Sequence, residues 1–321
     1  MQFTQQQSIA LNVIRVLSVI LIFSCHILQG LNNRWAWVLN VGVQVFFFLS
    51  GFLYGTKGVG NIKDFYSKRF LKIYIPYFVT VTIVALFMLG ISPQSLSGIE
   101  LAGHYLCLTG ILTLPLPGLQ HLWFIPVIFF CYALLPAFEF LINRRLGCTI
   151  LLYVLFSVGV YLLTYNSKLA CVSVYYAGYL SSRYACSQKY VLASSVIICF
   201  GLLLFRGSLP YTVSYTLMHT FGGITLFLFL YGFFGNINNC LHIRWLSIAS
   251  GGGYFVYLAP HVFILGPLSV MYATPFICVN ILIVVMLTIL FAYSIDRISN
   301  WISTPLKNGK YHIILRSSSR Q

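Results

Sequence analysis

Ten mostly apolar runs, many of about 17 to 22 residues, recur along this 321-residue chain, at 9–29, 37–55, 73–91, 121–141, 148–164, 169–182, 190–205, 213–234, 252–272 and 276–295. A run of that length, wound at about 1.5 Å per residue, crosses a hydrocarbon core of about 30 Å. No polar stretch between the runs is long enough for a separate soluble domain. Hydrophobic residues make up 59% of the chain and charged ones 7%, and the mean hydropathy of +0.89 lies outside the soluble globular range. The expected fold is all-α: a polytopic membrane protein of about ten transmembrane helices, one domain over 1–321, with 297–321 as a cytoplasmic tail.

The net charge of +15 does not point to nucleic acid, because of where the charges fall. With the N-terminus inside, fifteen of the 19 basic residues lie on the inner side. Arg34, Lys168 and Arg206 lie on the outer side, and Arg15 is within the membrane. That bias supports an even number of spans and two cytoplasmic ends, with anionic headgroups of the membrane lipids as a second beneficiary. The first eight residues carry no Lys or Arg, so no cleavable signal peptide is expected.

The nine cysteines form no CxxC pair, and Cys25, Cys131, Cys171, Cys199 and Cys278 sit inside runs as small apolar filler. The four acids, Asp64, Glu100, Glu139 and Asp296, occur at run ends or in loops. Chemistry that needs clustered carboxylates or a metal is therefore not expected.

Polar groups inside apolar runs are costly and mark function. Arg15 and His26 share the first run. Eleven residues at 100° each bring them to the same helix face, roughly 16 Å apart along the axis. Asn12, Ser18 and Gln29 fall near that meridian, while Leu17, Leu21 and Leu28 lie away from it. The following segment, VGVQVFFFLSGFLYG, carries Gly42, Ser50 and Gly51, which permit close helix approach. In DFYSKRFLKIYIPYF, Lys68, Arg69 and Lys72 stand beside Phe65, Phe70 and Tyr74. Such a basic, aromatic helix can rest on acidic lipid or hold the phosphates of a soluble cofactor, and the residues alone allow both. The longest outer connection, 92–120, leads into His121 and Trp123, which fit interface anchors. Late in the chain, GGGYFVYLAPH puts Tyr254, Tyr257 and His261 on one face of a helix, a second polar stripe.

In this order the motifs resemble the acyltransferase-3 family of integral membrane proteins, which decorate bacterial cell-envelope polysaccharides. The resemblance rests on RVLSVILIFSCH, GVQVFFFLSGF, KRFLKIYIPYF, HLWFIPVIFFCYALLP, YFVYLAPH and the stretch from Asp296 to Pro305, spanning residues 12 to 306. It implies an inner-membrane enzyme that takes acyl groups, most often acetyl, from cytoplasmic acetyl-CoA or another acyl-CoA to a sugar hydroxyl of a polysaccharide or lipid-linked glycan. His26 is then the catalytic histidine, Arg15 its companion and Arg69, with Lys68 and Lys72, the basic group near the CoA path. Ser50, Trp123, Tyr257 and His261 are candidates for acceptor or oxyanion support. Two departures stand out: Gln44 replaces an acid that many members carry, and Lys72 replaces an arginine, keeping the charge but losing the bidentate fork. Without a hydrolase-like domain after the last run, the chain reads as the stand-alone form. The alternative from another class is a transporter or flippase for a lipid-linked saccharide using Arg15, His26 and His261. No inverted repeat of the Arg/His run supports it.

Overall fold

The computed structural model describes residues 3–161, 167–184, 188–205, 208–236 and 243–318, with backbone only at 95, 236, 243 and 307–318. Arg206, Arg320 and the end of the fifth expected run lie outside the described residues, and Lys307, Lys310 and Arg316 are described as backbone only.

In chain order the helices are α1 (Gln5–Gly30), α2 (Ala36–Leu39), α3 (Val41–Lys57), α4 (Ile62–Arg69), α5 (Ile75–Ile91), α6 (Gly98–Tyr105) and α7 (Phe124–Arg144). Then come α8 (Leu146–Gly159), α9 (Ser167–Arg183), α10 (Gln188–Leu204), α11 (Tyr211–Asn236), α12 (Ile243–Leu258), α13 (Pro260–Ile264) and α14 (Ile277–Ser318). No strand occurs among the described residues, so the fold is all-α. Among the described residues, six segments are long and apolar enough to cross a membrane: Gln5–Gly30, Ala36–Lys57, Ile62–Ile91, Gln120–Arg144, Tyr211–Gly235 and Ile277–Leu306. The protein is an all-α polytopic membrane protein.

The chain divides into two compact units, Met1–Ile62 with Pro126–Tyr254, and Lys63–Ile125 with Phe255–Gln321. In the first, α3 packs along α9. Glycines make this contact close: a Cβ at Gly51 would land on the Tyr175 carbonyl oxygen, and one at Gly178 on that of Phe48. Backbones meet where any larger residue would clash, the small-residue seam expected of membrane helices. α9 is accordingly buried nearly all round, from Ala170 to Tyr176 and again at Gly178, Tyr179 and Ser181. α1 packs on α3 and α11. Here Gly42 faces Leu21, Ser18 and Ile22.

In the second unit, α4 runs into α5 through a π turn at Phe70–Tyr74, where the Ile75 amide reaches back to the Phe70 carbonyl. The basic aromatic segment is thus one helix with the third span and not a separate interfacial one. The connection 92–120, expected as an outer loop, instead folds back beside α5. Tyr74 Oη donates to the Tyr105 carbonyl at 2.6 Å, and the Tyr105 ring lies 5.1 Å from that of Phe78. Tyr74 is 17 residues, or roughly 25 Å of helix, before Ile91. Exposed Leu106, Leu112 and Leu114 give this segment an apolar outer surface, which explains how it can lie against the helix where lipid is the neighbour.

The ninth span also differs from the expected 252–272. Its helix begins at Ile243 and breaks at Ala259, where Pro260 has no N–H to continue the hydrogen-bond ladder. Beyond α13 the chain turns. Asn280 Nδ2, buried at the start of α14, donates to the carbonyls of Met271 and Thr274, holding that turn in place.

Candidate active site

The polar face of α1 is built as the 100° geometry requires. Arg15 Nη1 donates to Ser250 Oγ at 2.7 Å and to Asn12 Oδ1 at 3.4 Å. Ser250 Oγ in turn donates to Asn12 Oδ1 at 2.9 Å. Both partners are neutral, so neither offsets the guanidinium charge, which stays available to an anion. Gly253, one turn beyond Ser250 on α12, lets that helix approach Val19 of α1. Ser18, between Arg15 and His26, returns its hydroxyl to the Ile14 carbonyl.

Eleven residues on, His26 is 8% exposed. Its Nδ1 lies 2.9 Å from Gln29 Oε1. An amide oxygen only accepts, so the proton of the neutral ring sits on Nδ1 and the lone pair on Nε2. Nε2 is itself buried. That is the tautomer a general base or nucleophile needs. Cys25, next in sequence, points about 100° away.

Of the supporting residues in this unit, Ser50 spends its hydroxyl on its own helix, donating to the Phe46 carbonyl at 2.9 Å. Gln44 is buried with its Cβ against Gly223. His219 lies outside the expected set. Its Nδ1 is 2.8 Å from the Tyr215 carbonyl and its Nε2 2.7 Å from that of Trp37, so it ties α11 to α2. Both contacts can be hydrogen bonds at once only in the doubly protonated ring. A lone histidine in the 213–234 run is the sequence signal that marks it.

The second unit holds the other candidates. Around the π turn Arg69 is half-buried while Lys68 and Lys72 are exposed. A π turn inside an α-helix often accompanies a functional site, and three cations within five residues suit phosphate oxygens. Tyr257 and His261 are brought together, although the break at Ala259 puts them on different helices. Tyr257 Oη donates to the His121 carbonyl at 2.6 Å, and the His121 and His261 rings stack at 4.8 Å. His121, and not half-buried Trp123, is the centre of this cluster.

His104 is fully buried and wholly absent from the expected set. The Leu116 amide donates to its Nε2 at 3.1 Å, which leaves Nδ1 to donate to Tyr77 Oη at 3.1 Å. Tyr77 then donates its own proton to the His104 carbonyl at 2.9 Å. The ring is a staple for the folded-back segment.

A family model described as an acyltransferase domain matches residues 8–304. No curated protein and no solved structure matches the chain.

Proposed function

The chain belongs to the acyltransferase-3 family, and from that membership we propose that it is an O-acetyltransferase of a bacterial cytoplasmic membrane. It moves acetyl from cytoplasmic acetyl-CoA to a hydroxyl of a cell-envelope polysaccharide or its lipid-linked precursor. That the chain is a membrane acyltransferase follows from the family match over 8–304 and the apolar helices. The donor and acceptor are the proposal.

One observation carries the reading: α1 holds a buried imidazole with its lone pair on Nε2 and, three turns away, an arginine whose bonded partners are neutral. His26 takes the proton of the sugar hydroxyl as that oxygen bonds to the thioester carbon. The carbon–sulfur bond then breaks, and the proton passes from His26 to the departing CoA thiolate. In the two-step version Nε2 attacks first, forming an acyl-histidine and releasing the thiolate. The sugar oxygen then bonds to the acyl carbon as the Nε2–carbon bond breaks, the imidazole returns to its neutral Nδ1–H form, and the hydroxyl proton passes to the released thiolate. Arg15 steadies negative charge on the donor, and Arg69 with Lys68 and Lys72 fits the donor's phosphates.

The test uses membranes from matched cells with and without the chain, supplied with acetyl-CoA labelled in the acetyl group. Label should enter the envelope saccharide only when the chain is present, with a mass gain of one acetyl group per modified sugar. Equal labelling in both membranes would refute the donor and acceptor assignment.

A further inference from the structure

We infer that the first unit carries an acceptor site for an acidic sugar, in a cavity of about 520 Å³ beside the His26 end of α1. The inference rests on the acyltransferase reading and adds where the acceptor binds and what chemistry it has. Gln29, Arg34, Trp37, Asn40, Tyr211 and Ser214 line the cavity. Its volume falls within the roughly 300–1,000 Å³ typical of small-ligand pockets. A pyranose has an apolar C–H face and a rim of hydroxyls. The cavity offers the matching surfaces: the indole of Trp37 and the phenol of Tyr211 for the face, and two amides and a hydroxyl for the rim.

Charge narrows the class. Among the described residues of the lining, Arg34 is the single charged one and no acid accompanies it. Its guanidinium sits 5.9 Å over the Trp35 ring, which limits where the fork can point. A sugar carboxylate satisfies such a fork with two parallel hydrogen bonds. A second cavity, in the other unit, is lined by Phe87, Val262, Phe263, Leu287 and Phe291 among others and suits a lipid chain. The polar lining around Arg34 does not.

The walls are held in place before any ligand arrives. Asn40 Nδ2 donates to Tyr215 Oη at 2.7 Å, and His219 holds the Trp37 carbonyl. Gln29 links the cavity to the chemistry, since the side chain that lines it also fixes the His26 tautomer. A hydroxyl of a sugar bound here is one residue from the proposed base.

Binding can be measured apart from catalysis. The full chain in detergent, without acyl-CoA, is titrated with methyl glucuronide and with methyl glucoside, followed by saturation-transfer NMR. Wild type and His26→Ala should both bind the glucuronide, and more tightly than the glucoside. Arg34→Gln should erase that preference, a loss of roughly 10- to 150-fold for a charge-assisted pair. Trp37→Ala and Tyr211→Ala should each weaken both sugars. Tyr211 is 69% exposed, so its variant guards against a folding defect. Absence of binding to wild type, or binding that Tyr211→Ala and Arg34→Gln leave unchanged, would overturn the site. Sugar binding without any acetyl transfer to an acceptor would leave the site standing and sink the acyltransferase reading of His26 instead.

Discussion

His104 gives both ring nitrogens and its carbonyl to the fold, to Leu116 and Tyr77, whereas His26 takes its tautomer from Gln29, a side chain on the wall of a cavity. The two imidazoles have the same preferred proton position, Nδ1, and both are buried. They differ in what accepts and what donates. Nε2 of His104 accepts from the Leu116 backbone amide, with Thr109 Oγ1 at 3.4 Å. Nδ1 of His26 is bonded to the Gln29 side chain three residues away. Burial and tautomer are therefore alike in the two histidines, and the bonded partner is what differs. The same contrast separates Arg15, held by neutral oxygens, from a cation spent on an ion pair.

The largest effect that this contrast predicts is at His26. His26→Ala should lower acyl transfer per folded molecule by about 10² to 10⁴ while leaving insertion and thermal stability near wild type. A variant that melts early but transfers normally would move His26 into the class of His104. Arg15 comes next. Arg15→Met should cost about 10² to 10³ in rate if the guanidinium meets developing charge, and Arg15→Lys should fall between the two. Equal rates for all three would make Arg15 a tie between α1 and α12. For Arg69, the expectation is a rise in the apparent KM for acyl-CoA of roughly 10- to 150-fold on Arg69→Ala, less on Arg69→Lys. Unchanged dependence on acyl-CoA in both variants would leave it a lipid anchor. Smallest is Ser50→Ala. Its hydroxyl only returns to the Phe46 carbonyl, so stability should shift by less than about 1 kcal/mol and transfer should stay near wild type.

Much of this was legible in the residues. Apolar runs place most of the helices because length and hydropathy are what a membrane selects. The 100° step puts Arg15 and His26 on one face because α1 is a regular helix without Pro or an internal Gly. Glycines at 42 and 51 announce close packing for the same steric reason that the structure displays. The misses share a cause, which is contact at a distance. That 92–120 folds back depends on Tyr74 meeting Tyr105 and on His104 meeting Leu116, and none of these pairings leaves a period in the sequence. The π turn at Phe70–Tyr74 likewise follows from packing and not from composition. The break at Ala259 is different, since Pro260, which has no N–H to give the helix, signals it directly. Reading 252–272 by hydropathy alone overrides that signal.

The decisive test is a paired one: His26→Gln and His104→Gln, each purified in detergent and assayed both for thermal unfolding and for acetyl transfer per folded molecule. Glutamine retains polarity and bulk at either site but has no titratable nitrogen. His26→Gln should melt with the wild type and transfer about 10² to 10⁴ more slowly. His104→Gln, whose amide cannot reproduce the ring's paired contacts, should melt lower, by about 1–3 kcal/mol of lost stability, and transfer normally once folded. Near wild-type transfer by well-folded His26→Gln would rule out a chemical role for His26.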